Sequence, residues 1–154
     1  MPGFKNFKIW HGRLPHWRAD DVVYYVTFRH RRDLTESERQ TLLKELIRPS
    51  GWDLLIACVL PSQTEVMFRT GEGKDGQPKE FAEIVEKAKG RAGKKIGKQT
   101  AERFPPFYFE SYDRIVRNEA EYTERWQAIL ASPCDLALAE QPDEYPALYL
   151  ALKR

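Results

Sequence analysis

The chain has 154 residues, of which 31% are charged and 42% hydrophobic, with a net charge of +2. That length suffices for one domain with a buried core, the composition reads as soluble and globular, and no apolar run approaches the ~20 residues of a bilayer-spanning helix. The N-terminal Met1-Pro2-Gly3-Phe4-Lys5 lacks a secretory apolar stretch. The expectation is a cytoplasmic protein of one domain over 1–154, with 134–154 as a tail packed on it. Cys58 and Cys134 form neither a disulfide framework nor a Cys-x-x-Cys metal site, and read as reduced, inert thiols.

Val22 to Phe28 is dense in β-branched and aromatic residues and predicts a central strand. Thr35 with Glu38 three positions later is a capping box. It opens a helix whose face is Leu42, Leu43, Leu46 and Ile47 and which Pro49-Ser50-Gly51 closes. Trp52 to Leu60 is an apolar run, so a strand buried on both faces. Pro61-Ser62 turns the chain into an antiparallel partner, Thr64 to Arg69. Gly71 to Pro78 is a loop.

Lys79 to Lys89 has a helical stripe of Phe81, Ile84, Val85 and Ala88. Gly90, Gly93 and Gly97 each cost about 1 kcal/mol in a helix interior, so a bend or break is expected there. Pro105-Pro106 stops that segment, Phe107 to Val116 forms a last strand, and Asn118 caps a helix to about Ala131 that Pro133 ends. Tyr145, Leu148 and Leu150 of the tail pack on the domain. The order β-α-β-β-α-β with a C-terminal helix predicts an α+β, ferredoxin-like antiparallel sheet with its helices on one face. Such a sheet leaves its other face for nucleic acid or an additional helix, and the fold alone does not decide activity.

Charge is unevenly spread. Lys87, Lys89, Arg91, Lys94, Lys95, Lys98 and Arg103 face a single acid, Glu102, across that stretch, and Arg29 to Arg32 form a second basic group. Two such groups on a near-neutral chain fit a localised phosphate-binding face, and equally a solvated helix surface. Gly90-Arg91-Ala92-Gly93 matches a backbone clamp only in spelling, and Gly93 to Lys98 fails the phosphate-loop spacing. His11, His16 and His30 have no mutual ligand spacing; His30, among arginines, is a candidate phosphate contact. Trp10, Trp17 and Trp52 are candidates for base stacking or for core.

Arg13-Leu14-Pro15-His16-Trp17, then Tyr25-Val26-Thr27-Phe28-Arg29, and finally Glu110 to Arg117 followed by Asn118-Glu119, occur in that order and spacing. Together they resemble the REP-associated tyrosine transposases, relatives of the single-tyrosine HUH insertion-sequence transposases, over nearly the whole chain. The resemblance implies DNA strand cleavage and transfer. In that family a His-x-His pair on one strand binds a divalent metal, which polarises the scissile phosphate. A helix tyrosine attacks to form a phosphotyrosine link, and a side chain one turn further on completes the metal shell. A strand places i and i+2 on one face, which suits two-point coordination.

Carried onto this chain, the metal positions are Gln63 and Glu65, the nucleophile position is Ala128 and the third ligand position is Ser132. Ala128 has no hydroxyl to attack with. Tyr122 on the same helix would sit roughly 120° around the axis and ~9 Å along it, too far to replace a nucleophile at 128. Tyr112, before that helix, reads as a packing or structural residue. The resemblance therefore implies a degenerate relative that binds single-stranded or hairpin DNA and has lost the reaction. Arg29, Arg31, Lys94, Lys95, Lys98, Arg114 and Arg117 are the candidate phosphate contacts. No cofactor is expected; if an ion binds, Glu65 and the Gln63 amide oxygen suit Mg²⁺. The alternatives left open are a Mg²⁺-dependent transposase or nuclease using Glu65, and an RNA-binding or regulatory module keeping only the fold. The sequence leaves monomer and homodimer equally open.

Overall fold

The computed structural model describes residues 8–11, 15–18, 23–49, 52–70, 81–108 and 110–151. The expected loop over 71–78 lies outside these residues, as do the side chains of His11, His16, Trp10, Trp17 and Trp52. A short hairpin, β1 (Lys8–His11) and β2 (Pro15–Arg18), precedes the main sheet. The main elements follow as β3 (Val23–Arg29), α1 (Glu36–Ile47), β4 (Trp52–Val59), β5 (Gln63–Thr70), α2 (Phe81–Thr100), β6 (Tyr112–Val116), α3 (Glu119–Asp135), a 3₁₀ turn (Pro142–Glu144) and β7 (Leu148–Leu150).

The five-stranded sheet has the order β6-β3-β5-β4-β7, with every pair antiparallel. The first four strands give the split arrangement expected of a ferredoxin-like α+β fold. No helix among the described residues is long and apolar enough to cross a membrane.

Alternation along the strands sorts residues onto two faces. Tyr24, Val26 and Phe28 of β3 share one face with Thr64, Val66 and Phe68 of β5, and Tyr24 stacks on Phe68 with ring centroids 5.7 Å apart. α1 and α2 cover this face through Leu42, Leu46, Ala88, Ala92 and Ile96, all fully buried. Each large aliphatic among them contributes about 1.5–3 kcal/mol relative to leaving it exposed. The Thr35–Glu38 capping box opens α1 as expected, with Thr35 N–H donating to Glu38 Oε1 at 2.9 Å. β4 is likewise as expected, buried from Leu54 through Val59.

Three expectations are corrected. α2 runs unbroken through Gly90, Gly93 and Gly97, because its buried Ala88–Ala92–Ile96 stripe outweighs the glycine cost. Gly93 also permits a close approach: a Cβ there would lie 3.1 Å from the Pro105 Cβ. Pro133 does not end α3, which continues to Asp135 with Pro133 buried. Proline removes the N–H that would bond the carbonyl four residues back, a cost set against the burial of its ring. β6 starts at Tyr112, and Phe107 makes only an isolated bridge to His30. Tyr145, Leu148 and Leu150 of the tail pack on the domain as expected, and the tail adds a strand, β7, beside buried Tyr145, whose hydroxyl donates to Val59 O at 2.7 Å.

Candidate nucleic-acid interface

The second sheet face carries Val23, Tyr25, Thr27 and Arg29 of β3, Gln63, Glu65 and Met67 of β5, and Tyr112 and Arg114 of β6. α3 crosses the β4–β5 side of this face. Its Asn118 cap, whose side chain accepts from Glu121 N–H at 2.9 Å, fixes where the helix begins. Ser132 and Ala128, one turn apart, then share a helix face directed at β5.

Two of the four sequence-derived site positions, Glu65 and Ser132, meet directly. Ser132 Oγ lies 2.9 Å from Glu65 Oε1 and 2.9 Å from the Ala128 carbonyl oxygen, so its single proton is shared between two acceptors. Gln63 sits two residues from Glu65 on the same face, half-buried beside Arg29. The sequence reading missed Tyr25, whose hydroxyl donates to Glu65 Oε2 at 3.2 Å, and Arg125, whose guanidinium lies 4.7 Å from the Tyr25 ring centre. Strand alternation puts Tyr25 on the Glu65 face, but only the β3–β5 register makes them neighbours.

Burial, the Glu65 carboxylate and its hydrogen bond push the Tyr25 hydroxyl up to about 12. A phenol held so firmly protonated is a poor nucleophile. Cys58, fully buried opposite Glu65 on β4, is also pushed up to about 12, by burial and then by the Glu65 charge. Neither group supplies a reactive anion. Tyr122 packs against the core instead of approaching Glu65.

The donor set suits a divalent ion poorly. It offers one carboxylate, with both oxygens already accepting hydrogen bonds, plus an amide and a hydroxyl. A hard cation needs several oxygens at once, usually with more than one carboxylate or a bound phosphate. Among the described residues no group of three or more His, Cys, Asp or Glu is arranged to hold a metal ion.

The seven candidate phosphate contacts divide between the two faces. Arg29 is exposed at the end of β3, and Arg117 is exposed just after β6. Arg114 lies on the α3 face but donates to the Glu121 carboxylate, which keeps the Glu121 carboxyl below its ordinary value against the opposing effect of burial. Lys94 and Lys98 are exposed on α2, across the sheet. Lys95 is tied to Glu45 at 2.5 Å. Arg31, exposed, lies with its guanidinium 5.4 Å from the Tyr108 ring centre.

Two sequence-based roles change. His30 is buried, with Nδ1 2.8 Å from Pro61 O and Nε2 2.8 Å from Thr64 Oγ1, so it has no nitrogen left for phosphate. Tyr112 does not pack in the core: it is 47% exposed on the same face as Arg114.

No protein-family model matches the sequence, and no curated protein matches it. Among solved structures, the chain is similar to a REP-associated tyrosine transposase bound to a REP hairpin. The TM-score is 0.68 over 88% of this chain and 81% of that one, at 14% sequence identity. At that identity the likeness is one of fold, and the ferredoxin-like sheet with its crossing helix is a fold that this transposase also has.

Proposed function

We propose that the protein is a transposase-like DNA-binding protein that engages single-stranded or hairpin DNA and does not cleave it. One observation carries the second half of this reading. Both oxygens of Glu65 are occupied by protein hydroxyls, from Tyr25 and Ser132, and alanine stands one helical turn from Ser132. On this reading the Glu65 metal position is closed by hydrogen bonds from Ser132 and Tyr25, and the nucleophile position has no hydroxyl. The first half is supported by the shared fold with a hairpin-bound transposase. It is further supported by the exposed Arg29 and half-exposed Tyr112 on the α3 face, and by Arg117, exposed just after β6.

On this reading Arg29, Arg31 and Arg117 touch phosphate first. Arg114 and Lys95 join only by exchanging a carboxylate for a phosphate, since Glu121 and Glu45 hold them. Lys94 and Lys98 lie across the sheet and make secondary contacts at most.

The test is a binding titration with a DNA hairpin, a random single strand, a duplex and an RNA hairpin at several salt concentrations. Preference for the DNA hairpin, with affinity falling steeply in salt, is expected. Equal binding of all four, or preference for RNA, overturns the DNA reading. Incubation with Mg²⁺ or Mn²⁺ and labelled hairpin is expected to give neither cleavage product nor a covalent protein–DNA band on a denaturing gel. A band that disappears in Glu65→Ala restores the enzyme reading.

A further inference from the structure

Beside Arg29, at the end of the sheet, lies a cavity that the α3 face does not use. Residues 101–108 leave α2, turn back and fasten to the end of β3. Arg31 N–H donates to Pro106 O at 2.7 Å, and Tyr108 N–H donates to Arg29 O at 3.2 Å. Between this segment and α2 opens a cavity of about 230 Å³. Its floor is rigid: Phe107 is buried edge-on against Phe28 and His30, at 6.2 and 5.7 Å between ring centres. Lys89, also buried, holds its ammonium 4.5 Å from the Phe28 ring centre and 3.1 Å from the Glu86 carboxylate.

The walls are unlike the floor. Phe104 is 63% exposed and Tyr108 43% exposed, and each ring is faced by a guanidinium, Arg103 at 5.6 Å and Arg31 at 5.4 Å. Gly90 leaves the α2 wall open, since a Cβ there would meet nothing within 4 Å.

Size and charge narrow what fits. The volume is below the roughly 300–1,000 Å³ of pockets for drug-sized ligands, so a single flat ring system suits it. Lys89 is already answered by Glu86, and Glu110 adds a second nearby carboxylate, so the floor is no anion site. The net positive charge is at the mouth, on Arg31 and Arg103. An apolar aromatic slot, a donor–acceptor pair at its base and arginines at its rim match a base inside with its phosphate outside.

Resting on the DNA-binding reading above, we infer that this cavity takes one unstacked nucleobase of the bound strand, stacked on Tyr108 and Phe104 with its phosphate on Arg31. Arg29 on the interface and Arg31 at the mouth are two residues apart, so a bound strand passes from one to the other without a break.

The test uses the full chain and fluorescence anisotropy with a hairpin carrying a single-stranded tail. Tyr108→Ala, Phe104→Ala and Gly90→Leu, which fills the slot from an open helix position, are each expected to lose about tenfold in affinity. Their salt slopes should stay at the wild-type value, because no phosphate contact is removed. One abasic position in the tail should cost wild type the same factor and cost Gly90→Leu nothing. Wild-type affinity in all three variants overturns the cavity inference and leaves the DNA-binding reading standing. If wild type binds no DNA, that reading falls. The cavity is then judged by titrating a deoxynucleoside monophosphate and following backbone amide shifts. Shifts confined to 86–90 and 104–108 that Gly90→Leu abolishes sustain base binding, and their absence sinks it.

Discussion

The two faces of the sheet treat charge in opposite ways. On the α1/α2 side Glu45, 3% exposed in its side chain, accepts from Arg91 at 2.6 Å, Lys95 at 2.5 Å and Arg48 at 3.3 Å. Arg32 likewise bridges Glu38 at 2.7 Å and Glu102 at 2.6 Å, tying α1 to the chain after α2. On the α3 side, Arg29 is exposed on the face that carries the polar cluster of Glu65, Tyr25 and Ser132, and Arg117 is exposed just after β6. Two cations of the richest basic run, Arg91 and Lys95, are thus spent on packing α1 against α2. Exposed cations remain on both sides, Lys94 and Lys98 on α2 and Arg29 at the end of β3. Local charge density and charge availability are different properties, and only tertiary pairing separates them.

The largest effect should come from breaking the closed side. Burial pushes the Glu45 carboxyl up, but the bonds from Lys95, Arg91 and Arg48 outweigh it and bring it down to about 2. Glu45→Ala leaves three cations around a buried gap. A loss of about 3 kcal/mol is expected, at the low end for buried pairs because the three partners are partly solvated. Urea unfolding measures it, and a loss under about 1 kcal/mol would mean the cluster does not hold α1 to α2. Hairpin affinity of the folded variant should stay within about twofold of wild type, since the faces are independent.

Acid should loosen the same side next. Burial lowers His30 from 6.5 to about 4, with the Pro61 carbonyl opposing and Lys89 reinforcing the shift. The unfolded chain therefore binds this proton more readily than the folded one between those values. Stability from this group is complete above pH 6.5 and is lost as pH falls toward 4. Integrated, the change is about 3 kcal/mol. Glu45 then contributes a further loss as pH falls from 4.5 toward 2. Denaturation midpoints across pH 3.5–8 for wild type and His30→Gln should differ in slope between about 4 and 6.5; equal slopes there would show that His30 is not held neutral.

The backbone architecture was largely legible in the sequence because it rests on local signals. Thr35 with Glu38 fixes the start of α1, Asn118 fixes α3, and the apolar run from Trp52 fixes β4. What failed depended on distant partners. The glycines of α2 read as breakers until Pro105 is seen packed on Gly93. β7 is three residues long and is specified by pairing with β4, not by its own pattern. The site divides the same way. Gln63 and Glu65 share a face by simple alternation, whereas Tyr25 and Arg125 enter only through the β3–β5 register and the seating of α3. His30 lies in an Arg-rich stretch that reads as surface, and only its bonds to Pro61 and Thr64 show it to be interior.

The open side is tested by removing its charges singly. Arg29→Ala and Arg117→Ala should each weaken hairpin binding several-fold and flatten the slope of log affinity against log salt by about 0.7. Lys94→Ala and Lys98→Ala, on α2, should do neither. If the lysine variants lose affinity and the arginine variants keep it, the DNA lies on the α2 side and the contrast between the faces is inverted.

The smallest effect concerns how α2 and α3 end. Ala101 and Ala137 follow the two helices with φ of 61° and 58°, a left-handed conformation that costs a residue with a Cβ. Ala101 N–H donates to Gly97 O at 2.8 Å, so the conformation satisfies a carbonyl of the last turn. Ala101→Gly removes the Cβ penalty while giving the unfolded chain more freedom, for a net gain of about 0.5 kcal/mol. Ala137→Gly should gain a similar amount at the end of α3. The two substitutions are not equivalent for function, however. Ala101 starts the segment that forms the aromatic wall beside Arg31, whereas Ala137 leads into the tail. A stabilised Ala137→Gly that binds DNA as wild type does, beside an Ala101→Gly that gains stability but shifts affinity, would place the 101–108 segment in the DNA-binding surface. Identical affinities would show that its seating is set by Pro106 and Tyr108 bonding to β3 and not by the helix end.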